Sequence, residues 1–469
     1  MFWGRKKELS IMEDAYNSKN FEFLVLYGRR RIGKTSLLKE FAKTHKTLLF
    51  SAQEKNDALN LSDFSKTVQQ FFEGRFFGDF SDWETAFSYI TGKSSENERI
   101  VLVIDEFPFI ASENPSIKSM LQHTIDHEWK DRNIFLILCG SSVSFMEDEV
   151  LAHKSPLYGR STLHIELKSF DYFETAAFFS HYSDEEKLIA YGILGGVPCY
   201  LDAFDSTKPL KQNVASKILR EGSFLKDEPL FLLRQELREP AVYNSIFEAI
   251  ANGASRLNDI ALKIHEDTQK CSKYLSTLQA IRLVKKCVPC TESETSRRTV
   301  YEISDNYFSF WYDFLFEHKS YYELLGEEKS AEEIFRPENI NRYMGHIFEK
   351  ICLEYMIRLA RGGKLPFVPE KYGRWWSNNP ARKMQDDIDV LLSDKNGSKL
   401  IICECKFRND QFGSEEFDVM LSRRAIFPSA SEVYFFAFSK GGFADSVHEK
   451  ARSHAVMLVE PADMFSPEL

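Results

Sequence analysis

The sequence predicts an α/β fold in three segments, at 1–205, 206–335 and 336–469, and three observations carry that prediction. Apolar runs at 22–27, 47–51, 100–104, 134–139 and 163–167 alternate with helical stretches, which implies a mostly parallel sheet covered on both faces. The middle segment reads as short helices closed by a hairpin. The last carries two alternating strands joined through an Asn-Gly turn. A chain of 469 residues has room for about three domains.

The first strand, 22–27, runs into Gly28-Arg29-Arg30-Arg31-Ile32-Gly33-Lys34-Thr35, and Ser36 opens a helical stretch to Ala42. This fits G-x-x-x-x-G-K-[ST] at each fixed position, in the strand–loop–helix order the motif requires. The glycines let backbone N–H groups turn around a β-phosphate, at a helix N-terminus whose dipole favours anions. Gly28 through Ser36 would cradle a nucleotide, with Lys34 reaching the β- and γ-phosphates and the Thr35 hydroxyl on Mg²⁺. The plainer reading, a basic turn after a strand, leaves the Lys-Thr ending unexplained.

Ile100-Val-Leu-Val-Ile-Asp105-Glu106 is a buried strand ending in two carboxylates, at the sheet edge where the phosphate loop also lies. Asp105 would hold Mg²⁺ and Glu106 would orient or deprotonate an attacking water, although a solvated strand end has the same pattern. The strand at 134–139 runs into Gly140-Ser141-Ser142, where Ser142 would either report on the γ-phosphate or make a simple turn. In Pro156-Leu-Tyr-Gly159-Arg160, Arg160 is either a surface charge or a cation that neutralises transition-state charge in its own or a neighbouring subunit.

In the middle segment, Ala241–Ala251 reads as a helix ending at Asn252-Gly253, and Ser255 as the cap of a helix from Leu257 to Ile264. Thr268 to Ala280 makes a third helix, and a hairpin starts at Leu283 and returns at Thr299–Ile303. Three short helices and a β-wing make a winged helix-turn-helix. Lys270, Lys273, Arg282, Lys285 and Lys286 lie on or near its third helix and wing, which suits either DNA phosphates or an interdomain spacer.

In the third segment, Ile388-Asp389-Val-Leu-Leu392 and Lys399-Leu-Ile-Ile-Cys-Glu404-Cys-Lys406 form a hairpin. Period two puts Glu404 and Lys406 on one face, with Asp389 close across the hairpin. Two carboxylates and an ammonium suit metal-dependent phosphodiester cleavage: Asp389 and Glu404 would bind Mg²⁺ and Lys406 would help activate water. Glu349, on a helical stretch upstream, would join the metal shell. A cross-strand salt bridge on an exposed hairpin is the alternative.

Net charge is −10, so the molecule as a whole is no polyanion binder and any nucleic-acid surface is a local basic patch. The 40 Phe residues point to large aromatic cores. No apolar run reaches about 18 residues, so no membrane span is expected. The first residues lack the apolar stretch of a signal peptide. The eight cysteines have no framework spacing, and Cys287 with Cys290 is a lone C-x-x-C pair, so reduced cytoplasmic thiols are expected.

Together these residues resemble the archaeal-type ATPases of the STAND group, a branch of the AAA-related P-loop NTPases. The resemblance rests on Phe2-Trp-Gly4-Arg5-Lys-Lys-Glu8-Leu9, the phosphate loop, Ile104–Phe107, Cys139–Ser142, Pro156–Arg160 and Gly195-Gly196-Val197-Pro198. It implies that Pro198, from the G-x-P motif, packs near the adenine. The last segment is similar to a companion domain often fused to such ATPases, of PD-(D/E)XK nuclease fold, matching at Gly345–Lys350, Gly373–Trp376, Asp389 and Glu404–Lys406. Ile388 stands where the nominal motif has proline. The resemblance implies a P-loop NTPase domain with a helical lid, a winged-helix middle domain and an α/β restriction-endonuclease-like domain.

The reading that follows is an ATP- and Mg²⁺-dependent switch controlling a nucleic-acid-cleaving or nucleic-acid-binding C-terminal domain. DNA ranks ahead of RNA as its partner, no membrane is involved, and a homo-oligomer would let Arg160 act in trans. The alternative is an ATP-gated DNA-binding regulator or scaffold with an inactive nuclease fold.

Overall fold

The computed structural model describes residues 2–95, 98–379 and 384–466. They form two compact units, Met1–Ser169 with Val197–Cys199, and Phe170–Gly196 with Tyr200–Leu469.

The first unit holds five parallel strands, β1 (Glu22–Tyr27), β2 (Thr47–Ser51), β3 (Ile100–Asp105), β4 (Ile134–Gly140) and β5 (Leu163–Glu166), in the order β2-β3-β4-β1-β5. β3 and β4 are buried at every position, as expected of strands covered on both faces. Alternation sorts the core. Phe23, Val25, Leu102 and Leu136 pack with Phe64, Trp83, Phe87 and Trp129 on one face. Leu24, Leu26, Val101 and Phe135 pack with Leu37, Leu38 and Phe41 on the other. The phosphate loop follows the C-terminal end of β1 and Asp105 is the last residue of β3, at the edge where open α/β sheets bind ligands.

The second unit begins with helices that the sequence groups with the first segment. Helix Asp184–Leu194 opens on a capping box, Ser183 with Glu186, and is buried from Leu188 to Leu194. Tyr191 donates to Glu354 at 2.7 Å and the Tyr172 N–H does so at 3.0 Å, which ties these helices to helix Pro337–Arg361. Helices Pro240–Ala251, Leu257–Lys263 and Thr268–Ala280 precede an antiparallel pair, β6 (Val284–Cys287) and β7 (Val300–Ile303). Ser255 does not cap the second of these helices. Arg256 holds that position without a side-chain bond, and the Ser255 carbonyl instead accepts the Tyr301 N–H at 2.7 Å.

The last part is a mixed sheet of β8 (Lys371–Asn379), β9 (Met384–Ser393), β10 (Lys399–Lys406), β11 (Glu432–Ser439) and β12 (Met457–Val459), ordered β12-β11-β10-β9-β8. The β8–β9 and β9–β10 pairs are antiparallel, and the other two are parallel. Ile388, Leu391, Ile402, Phe417 and Phe435 fill its core. Helix Pro337–Arg361 packs on β9 and β10 and, through Met344 and Ile347, against Gly192 of helix Asp184–Leu194; its buried Met344, Ile347, Phe348, Ile351 and Cys352 recur at helical spacing. Pro337 starts that helix and Gly362 follows its end. No described helix is long and apolar enough to cross a membrane.

Candidate functional site

The phosphate loop turns tightly between β1 and helix Lys34–Phe41 because three residues take positive φ: Gly28 at 152°, Arg31 at 67° and Gly33 at 92°. A side chain at Gly28 would put a Cβ 2.5 Å from the Leu167 carbonyl oxygen, too close for any real contact. Gly28→Ala is therefore expected to cost about 2–4 kcal/mol of stability, combining overpacking with an unfavourable φ. Urea unfolding monitored by circular dichroism checks this, and an unchanged midpoint would contradict it.

Lys34 is buried, and its Nζ donates to the carbonyls of Gly28 at 2.8 Å and Arg29 at 3.0 Å. Burial lowers its pKa, against the opposing pull of Glu106 and Asp105. Thr35 Oγ1 donates to Asp105 Oδ2 at 2.9 Å, so the two groups expected on Mg²⁺ already meet. A hydroxyl and a carboxylate oxygen are hard donors that suit that ion. Thr35 and Ser36 are exposed at the helix N-terminus. Pro198 lies over the loop, its Cγ 3.7 Å from where a Cβ on Gly33 would stand.

Glu106 adopts φ 53°, and its N–H donates to Asp105 Oδ1 at 3.0 Å. Its Oε2 accepts from the Ser141 N–H at 3.2 Å and the Ser141 hydroxyl at 2.8 Å. The seryl contact on Glu106 thus comes from Ser141, whereas Ser142 precedes helix Val143–Phe145 with no side-chain capping bond. Arg160 is engaged elsewhere. Its Nε and NH2 donate to Asp126 at 2.9 and 2.7 Å, and its NH1 donates to the carbonyls of Pro156 and Tyr158. That pairing holds the Asp126 carboxyl below its ordinary range.

Sequence reasoning missed Arg5 and Ser141. Buried Arg5 donates to the Ile32 carbonyl at 3.2 Å and pairs with Glu8, so the opening signature braces the back of the loop. Its signal was present in the Gly4-Arg5 signature, and that of Ser141 in Gly140-Ser141-Ser142.

The acid hairpin is assembled as the alternation predicts. Lys406 Nζ lies 2.5 Å from Glu404 Oε1, and Asp389 accepts the Cys405 N–H at 2.8 Å. Glu404 is buried, and its other oxygen pairs with Arg423, which no sequence pattern singled out. Glu349 faces His346 at 3.4 Å and Arg374 at 3.9 Å. Among the described residues, no three or more His, Cys, Asp or Glu side chains are grouped to hold a metal. Burial first, then Glu404 and Glu349, raise Asp389 to about 7, and burial raises Glu354 to about 7.

Both folded-state values exceed the unfolded carboxyl values of about 4, so the native state binds more protons across the interval. These two carboxyls accordingly contribute stability that is lost as pH rises from about 4 to 7, against Glu302, whose lowered carboxyl acts in the opposite sense, and Asp389→Asn should remove part of that loss. Denaturant midpoints of both proteins across this range measure it, and a pH dependence indifferent to the substitution would contradict it.

Known proteins bear on this geometry. A family model described as an ATPase domain predominantly from Archaea matches residues 2–204. A second, described as archaeal and bacterial proteins of unknown function, matches residues 311–419. An uncharacterized protein of Methanocaldococcus jannaschii is 33% identical over 413 residues, covering 87% of this chain and 88% of that one. An uncharacterized ATP-binding protein of the same organism is 46% identical over 46 residues, 10% of this chain and 78% of that one. Among solved structures, a Walker-type ATPase of Pyrococcus abyssi is similar at 19% identity and a TM-score of 0.49, covering 66% of this chain and 96% of that one. With its phosphate loop inside the matched region, this chain belongs to the family of the 33%-identical Methanocaldococcus protein and carries the predominantly archaeal ATPase domain.

Proposed function

We propose that this protein is a Mg²⁺-dependent ATP-hydrolysing switch whose nucleotide state governs a nucleic-acid-acting C-terminal domain. The observation that carries the ATP half is the bond between Thr35 and Asp105 beside the Lys34 ammonium. Mg²⁺ bound there would offset charge on the phosphates. Lys34 would bind the β- and γ-phosphates, and Pro198 would pack on the base. Glu106, steadied by Ser141, would take the proton of the attacking water. Arg160 would first have to leave Asp126 before it could meet a phosphate. The helices of the middle segment and β6–β7 would act as a winged helix, with Lys270 and Lys273 as candidate phosphate contacts.

For the C-terminal domain, the leading reading is metal-dependent cleavage by Asp389, Glu404 and Lys406; Glu349, engaged with His346 and Arg374, would have to move to join the acid set. Purified protein with Mn²⁺ is expected to nick DNA or RNA, and either Asp389→Ala or Lys406→Ala should stop it. Cleavage that persists in both variants would place the activity elsewhere. One observation favours a second reading, a nucleotide-gated DNA-binding scaffold with an inactive nuclease fold: the two Glu404 oxygens are already neutralised by Lys406 and Arg423. Calorimetry separates the two, since a live site binds Mn²⁺ and loses that affinity in Glu404→Gln, whereas an inactive one shows none to lose.

A further inference from the structure

The second unit contains a cavity of about 270 Å³, walled by helix Glu228–Glu236, the helical turn Trp311–Phe316 and helix Lys319–Leu325. No residue placed in the phosphate loop or the acid hairpin lines it. Its walls are apolar and aromatic: Leu219, Leu230, Trp311, Leu315, Phe316 and Tyr322. An apolar cavity of about 150 Å³ holds benzene, so this one has room for roughly a bicyclic ring.

The charged groups of the lining divide into matched and unmatched. Lys226 pairs with Glu221, and the Lys226 carbonyl takes the Trp311 indole N–H at 2.7 Å. The indole therefore has no donor left for an anion. Three carboxylates remain, Asp227, Glu323 and Glu327, against one ammonium, that of exposed Lys319. Among the described residues, none of these three carboxylates has a side-chain hydrogen bond or an ion pair. Half-buried Asp227 stands at the N-cap of helix Glu228–Glu236 and is of a type that caps, yet its side chain makes no such bond. Lys319, Tyr322 and Glu323 stand at i, i+3 and i+4, so one helix face brings aromatic wall and acid to the same opening.

We propose that this cavity binds a small organic cation, an amine or quaternary ammonium whose apolar body has up to about two rings. The body would lie against Trp311, Leu315 and Phe316, and the charge would meet Asp227 and Glu323. Aromatic faces attract cations, so the walls favour the same ligand as the carboxylates. An anion would face three unmatched carboxylates, and a neutral ligand would leave them unused. The site depends on neither the ATP reading nor the nucleic-acid reading.

Calorimetric titration of the full wild-type chain compares three indoles of similar size: tryptamine, a cation; tryptophol, its neutral alcohol; and indole-3-propionate, an anion. Tryptamine is expected to saturate one site per chain about tenfold more tightly than tryptophol, in line with one charged hydrogen bond, and the propionate to bind weakest. Asp227→Asn combined with Glu323→Gln keeps shape and removes charge, so tryptamine and tryptophol should then bind alike. Leu230→Trp, which fills the cavity, should abolish binding of both. If a thermal melt shows that this variant does not fold, Phe316→Ala in the half-buried wall should weaken both indoles in parallel. A chain of net charge −10 attracts any cation loosely, so methylamine, a charge without a body, is the control. It is expected to bind at least about tenfold more weakly than tryptamine, because it forgoes the apolar burial. Equal affinities for the three indoles, a cation preference that survives the double substitution, or methylamine as tight as tryptamine would overturn the proposal. So would the absence of saturable tryptamine binding.

Discussion

Lys34→Ala is expected to abolish measurable ATP binding, lowering affinity by at least about 100-fold, because a charged hydrogen bond contributes about 1.5–3 kcal/mol and this ammonium would make more than one. Lys34 Nζ already sits inside the loop, on the carbonyls of Gly28 and Arg29, where the phosphates are expected to pass. No other lysine in the loop can substitute, since Arg29, Arg30 and Arg31 precede the second glycine. Because the same ammonium braces two loop carbonyls, a thermal melt must accompany the binding measurement, and Lys34→Met retains more of the packing. Calorimetric titration gives the result. Unchanged affinity in both folded variants would remove the phosphate-loop assignment.

Glu106→Gln is expected to slow ATP hydrolysis by about 10²- to 10⁴-fold, the range over which a positioned general base contributes, while ATP affinity stays within a few-fold. The carboxylate is held from the Ser141 N–H and hydroxyl, and a carboxamide of the same shape keeps one oxygen to accept them. The substitution therefore removes the proton acceptor more than the geometry. Single-turnover hydrolysis with calorimetry separates the two effects. A preserved rate would move the base elsewhere, and a parallel collapse of affinity would make Glu106 a binding residue instead.

Much of the fold was legible because it is written in short-range pattern. β1 and β2 span the predicted 22–27 and 47–51, and helix Thr268–Ala280 is bounded as expected, since apolar runs and caps mark their ends. The face shared by Glu404 and Lys406 follows from strand periodicity alone. What escaped depends on residues distant in sequence. Ser255 has the composition of a cap, yet its backbone is committed to Tyr301, 46 residues on. The helices at 170–196 join the second unit through Glu354, a half-buried acid that no local pattern flags. Arg423 reaches Glu404 only because helix Ser414–Ser422 brings it back over β10. Between adjacent serines, position rather than residue type decides which one meets Glu106.

In the function proposed above, the loop from Gly28 to Ser36 would hold a triphosphate while Thr35 and Asp105 share a magnesium ion beside it. A fluorescence titration of the wild-type chain with an N-methylanthraniloyl ATP analogue, run with Mg²⁺ and again with EDTA, addresses both halves at once. Saturation at one site per chain, tighter with the cation and displaced by unlabelled ATP, is the predicted result. A flat titration in both buffers would contradict the account.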